Sequence, residues 1–193
     1  HTDCDGTVAI GRSALGALTT GGGNVAIGKN VMLGHTTGTH NTAIGHLAMD
    51  GTAGDANDAP HSSYNIALGS GALGGNWADD QSCDYNVAIG ASALHNDLND
   101  CEGNTAVGYS AMSSLVGGTT GTQGENNTAV GKQAGDALTT GTQNTIIGAS
   151  SDAGANDLQN TTVIGYGVTG VNASNSVTIG NASVANVYMA SDS

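Results

Sequence analysis

A five-residue block that recurs ten times constrains this chain more than any other feature. It first reads Thr7-Val8-Ala9-Ile10-Gly11, then Asn24-Val25-Ala26-Ile27-Gly28, and its last copy is Ser176-Val177-Thr178-Ile179-Gly180. The closing glycines, Gly11, Gly28, Gly45, Gly69, Gly90, Gly108, Gly131, Gly148, Gly165 and Gly180, are 17, 17, 24, 21, 18, 23, 17, 17 and 15 residues apart, a unit near 17 with insertions. We number columns from that glycine. Column -1 is always Ile, Val or Leu, column -3 is always Val, Thr or Ile, and column -2 is Ala in seven copies. β-branched residues at i and i+2 flanking a small one are a period-two signal, too short for a helix. Each unit therefore predicts one short strand with a bulky face and a slim face. Columns +3 and +4 add a second apolar contact, as in Ala14-Leu15, Ala48-Met49 and Ala111-Met112.

Stacking such coils aligns equal columns at the strand spacing of ~4.8 Å, which gives ladders of Ile, Ala and Asn. The predicted class is all-β, a parallel β-solenoid or β-roll of about ten short repeats. The repeat domain spans 1–180, with insertions at 50–64, 74–85 and 95–103, and 181–193 forms an exit segment. Columns -1 and -3, Ile10 to Ile179 and Val8 to Val177, are expected to form the buried core. The Ala column, from Ala9 to Ala129, is expected to face outward and to pack against neighbouring chains. Aromatics make up 3% of the chain and Phe is missing, so one thin coil is short of bulk, and self-association follows.

Charge excludes other classes. Three Lys+Arg against sixteen Asp+Glu, net -13, supply no basic patch for nucleic acid or anionic lipid. No apolar run approaches the ~20 residues of a membrane span. The strict recurrence of apolar columns argues against a solvated coil.

Units such as Asn104 to Met112 (Asn-Thr-Ala-Val-Gly-Tyr-Ser-Ala-Met) and Asn175 to Gly180 (Asn-Ser-Val-Thr-Ile-Gly) resemble the head repeats of trimeric autotransporter adhesins. With Thr-Thr-Gly spacers at Thr19-Thr20-Gly21 and Thr139-Thr140-Gly141, they look even more like the shafts of bacteriophage tail fibres. The resemblance runs from Gly6 to about Gly180 and implies a left-handed parallel β-roll with three chains side by side. Residues 175–193 also resemble the segment that leads into a self-cleaving chaperone in such fibres. The expected role is a structural and adhesive fibre segment in a virion tail or at a cell surface, a homotrimer that spaces or carries host-receptor binding. A bacterial surface adhesin or filament subunit is the alternative, and a polysaccharide depolymerase a third reading.

Local candidates follow from the columns. Cys4, Cys83 and Cys101 share column -7, and Cys83 and Cys101 fall in consecutive repeats, so stacking would bring them within disulfide range. Column +1 holds Arg12, Lys29, His46, Tyr109, Lys132 and Tyr166 and is expected to face solvent. Tyr109 and Tyr166, with Trp77 in an insertion, are the candidate receptor contacts, and a cell-surface polysaccharide is the candidate partner. Oxygen-rich, Gly-containing insertions such as Asp50 to Asp58 could hold calcium but lack the spacing of a recognised calcium loop, and the histidines lack metal-ligand spacing, so no cofactor is assigned and calcium stays the alternative. No nucleophile elbow, triad or phosphate loop is present, and no enzymatic activity is expected.

Overall fold

The computed structural model describes residues 4–50, 62–75, 83–118, 123–184 and 186. Each repeat contributes one three-residue strand: β1 (Val8–Ile10), β2 (Val25–Ile27), β3 (Thr42–Ile44), β4 (Ile66–Leu68), β5 (Val87–Ile89), β6 (Thr105–Val107), β7 (Thr128–Val130), β8 (Thr145–Ile147), β9 (Thr162–Ile164) and β10 (Val177–Ile179). They form a single ten-stranded parallel sheet in chain order. Every pair is in the register of the columns, for example Ala26 with Ala43 and Ile27 with Ile44. The expected parallel β-solenoid is therefore present, strand for strand.

The strands face the opposite way from the expectation. Ala26, Ala43, Ala67, Ala88, Ala106 and Ala129 are fully buried, whereas columns -1 and -3 point outward and are partly or largely exposed. The reason lies across the coil. Column +4, with Met32, Met49, Leu73, Leu94 and Met112, is completely buried, as are column +7 residues such as Leu115 and Leu138. These long side chains fill the interior from the far wall, and only a methyl group fits between them and the strand. His35 takes the column +7 place held elsewhere by Leu18, Leu115 and Leu138, and burial pushes its imidazole down to about 4.

Each coil turns through left-handed residues rather than through helices. Column +4 has φ near +50° in the first six coils, from Leu15 at 52° to Met112 at 48°, and column +2 behaves likewise, as at Ser13 (58°) and Ser110 (52°). Bulky residues in that region cost about 1–2 kcal/mol each. Burial of the Leu or Met side chain offsets this with about 1.5–3 kcal/mol.

Column -4 carries a second, polar spine inside the coil. Asn24, Asn41, Asn65, Asn86, Asn104, Asn127 and Asn144 are buried and stack on one another. At Asn86 the backbone N–H donates to Asn65 Oδ1 at 2.9 Å, and its own Oδ1 accepts from the Asn104 N–H at 2.9 Å. Its Nδ2 donates to the Cys101 carbonyl at 2.8 Å. Asn tolerates positive φ and is a common corner residue. None of the seven has one, and their role is to satisfy backbone groups that the narrow coil buries. Thr7 and Thr161 replace Asn at the two ends of the spine, and both hydroxyls are buried without a hydrogen-bond partner among the described residues.

Of the three insertions, 95–103 is described: Leu98 and Cys101 are buried, and Asn99 pairs with Gly117 in a short parallel bridge. Most of the other two, 51–61 and 76–82, lies outside the described residues.

Candidate functional surfaces

The outward sheet face is the largest feature. Columns -3 and -1 place fifteen aliphatic side chains and five threonines on one flat strip, without a charged residue. At ~4.8 Å per strand the strip is roughly 43 Å long. In the middle of the rod Ile89 is 37% exposed and Ile147 41%, while Ala88 beside Ile89 is 0%. A contiguous aliphatic strip of this length exceeds what a lone soluble chain ordinarily leaves in water.

Column +1 faces solvent as expected. Arg12, Lys29, His46, Tyr109, Lys132 and Tyr166 are all exposed. Tyr109 and Tyr166 belong to non-adjacent coils and form no joint surface, and Trp77 lies outside the described residues.

One corner was not foreseen. Column -5 holds His40, Tyr64 and Tyr85 in three consecutive coils, each with left-handed φ of 57° to 60°. Their rings stack along the rod, with centroids 5.0 Å apart for His40 and Tyr64 and 5.3 Å for Tyr64 and Tyr85, tilted by only 7° and 8°. The signal for this stack is in the sequence, since column -5 aligns His40, Tyr64 and Tyr85 in successive repeats. Beside them column -6 stacks Asp84, Glu102 and Glu125. Partial burial raises the Glu102 carboxyl, and the charges of Asp84, Asp100 and Glu125 raise it further.

Cys83 and Cys101 are stacked in adjacent coils, as column -7 requires, and both are fully buried. They are free thiols, so the expected bridge is not formed in this structure. Cys101 Sγ donates to the Asn99 carbonyl at 3.5 Å, and a hydrogen bond from the Cys101 backbone to Cys83 partly offsets the rise of that thiol. Burial pushes Cys101 up to about 12 and Cys83 higher still, which keeps both in the unreactive thiol form. Cys4 is half-buried and its Sγ lies 3.9 Å from the Thr19 carbonyl.

A carboxyl pair bridges the seventh and eighth coils. Burial, then a side-chain hydrogen bond with Asp136, raises Asp152 to about 7, while the Ala137 N–H donates to its Oδ1 at 3.0 Å. An open cleft of about 360 Å³ runs between Asp50 and His95. Among the described residues no group of three or more His, Cys, Asp or Glu is placed to hold a metal ion. No described helix is long and apolar enough to cross a membrane. The fold is thus a repeat β-solenoid, an architecture typical of fibrous and adhesive proteins. No family model, curated protein or solved structure matches the chain.

Proposed function

We propose that this chain is a structural and adhesive segment of an extracellular fibre, a phage tail-fibre shaft in which three copies pack through their aliphatic sheet faces and carry or space a contact with a host polysaccharide. The observation that carries this reading is the uncharged strip of columns -3 and -1. Fifteen aliphatic side chains there, each already half-covered, gain about 1 kcal/mol apiece on full burial. That total matches or exceeds the roughly 4–15 kcal/mol that association costs. The copy number of three follows the resemblance of the repeats, and the interface differs from the one expected from sequence. Ala is the interior filler, and Ile and Val are the contact residues.

Native mass spectrometry of the chain tests it. Three copies are expected, and a double variant Ile89→Lys, Ile147→Lys is expected to run as a monomer with an unchanged far-ultraviolet circular dichroism spectrum. A monomeric parent chain would overturn the reading, as would a variant that stays assembled.

A further inference from the structure

Two columns flank the outward strip, and each lacks partners that the other carries. Column -6 runs along one edge and is acidic at Asp5, Asp84, Glu102 and Glu125. Burial, then the carboxylates of Asp84, Asp100 and Glu125, raise Glu102, and no cation of the chain lowers it. Asp84 is provided for within the chain, since the Ser63 N–H donates to its Oδ1 at 2.7 Å. Among the described residues the carboxylates of Asp5, Glu102 and Glu125 accept no hydrogen bond.

Column +1 runs along the other edge and carries the matching donors. In the coils of Asp5, Glu102 and Glu125 it holds Arg12, Tyr109 and Lys132. In the coil of Asp84, whose carboxylate already has a donor, it holds Ala91. Arg12 and Lys132 form no ion pair among the described residues. Within one chain the two edges cannot meet, because the strand and both its corners hold them roughly 15 Å apart. Two copies laid parallel and level bring the +1 edge of one against the -6 edge of the next, and each unpartnered acid then meets a donor. Sliding one copy by a coil sets Glu102 against Ala91 in one direction and Glu125 against Ala149 in the other. Antiparallel two-fold packing sets acid edge on acid edge, with Asp84 against Glu102.

We propose that these edges form the rim of the contact between copies, each copy docking parallel and level on the next, with Arg12 on Asp5, Tyr109 on Glu102 and Lys132 on Glu125. This deepens the assembly proposed above and rests on that reading. The aliphatic strip supplies affinity, and the exposed rim, worth little in energy, fixes direction and register. Contact between unlike edges is heterologous, the kind that closes into a ring. Charge reversals in the full chain test it, with native mass and sedimentation followed over a dilution series. Lys132→Glu is expected to raise the dissociation constant about tenfold or more, since like charges then face each other. Glu125→Lys should raise it too, although it makes the chain of net -13 less negative and reduces the general repulsion. The double variant Lys132→Glu, Glu125→Lys should return to the parent value. Lys132→Glu, Glu102→Lys, displaced by one coil, should not. Circular dichroism of every variant should match the parent. The rim is overturned if a folded single reversal leaves assembly unchanged, or if the level double variant recovers no more than the displaced one. A monomeric parent overturns assembly and rim together, whereas a trimer indifferent to these reversals sinks the rim alone.

Discussion

Column 0 is glycine in all ten coils because two demands coincide there. From Gly11 to Gly165 its φ lies between 129° and 140°, a region that L side chains rarely enter. A Cβ would also run into the next coil: at Gly90 it would lie 2.5 Å from the Gly108 carbonyl oxygen. Gly167 offers a contrast, since its φ is 58° and nothing lies within 4 Å of a Cβ. Gly90→Ala should therefore destabilise the rod by about 3 kcal/mol or more, through strain and backbone clash together. Gly167→Ala should cost only about 1 kcal/mol, the left-handed penalty by itself. Urea denaturation of the two variants against the parent measures the difference, and equal losses would remove the clash argument.

At the level of the coil, the asparagine spine and two ionisable groups set the stability of neighbouring turns. Asn86→Ala strips the Cys101 carbonyl and the Asn104 N–H of their partners in the interior. A loss of about 3 kcal/mol is expected, measurable by thermal unfolding. Asn86→Ser should recover only part, since a hydroxyl is too short to span both neighbours. The two ionisable groups act in opposite directions. His35 binds its proton less tightly folded than unfolded, so its coil is fully stable above pH ~6.5 and loses stability as pH falls toward about 4. Asp152 is raised to about 7, so the folded chain binds that proton more tightly; its contribution is complete below pH ~4 and is lost as pH rises through about 7. Amide hydrogen exchange followed from pH 4 to pH 8 should show protection near residue 35 rising with pH and protection near residues 136–152 falling, once intrinsic rates are removed. His35→Leu, which restores the side chain found in other coils, should flatten the first trend.

Across the whole rod, each coil touches only the coils before and after it, so stability is a sum of neighbour terms and local changes stay local. Charge is the long-range term. Each chain carries -13, and copies laid side by side repel. Salt screens that repulsion and leaves the aliphatic contact intact. Assembly should therefore strengthen with ionic strength, read as a shift of the sedimentation profile toward the larger species. Assembly that weakens in salt would mean that charged columns, rather than the strip of Ile and Val, hold the copies together.

The sequence by itself determined the strand positions, their parallel order and their register, because identical columns recur at every coil and stacking aligns like with like. Val8 to Ile10 and Val177 to Ile179 were legible as the first and last strands from residue types and spacing. The tertiary structure decided which face of those strands is inside. Alternation in Val25-Ala26-Ile27 marks two faces and says nothing of what lies opposite them. The opposite wall supplies Met32, Met49 and Leu73, side chains long enough to fill the coil, and the volume left beside the strand admits only Ala. Interior volume is shared between residues distant along the chain. Local pattern does not carry that quantity.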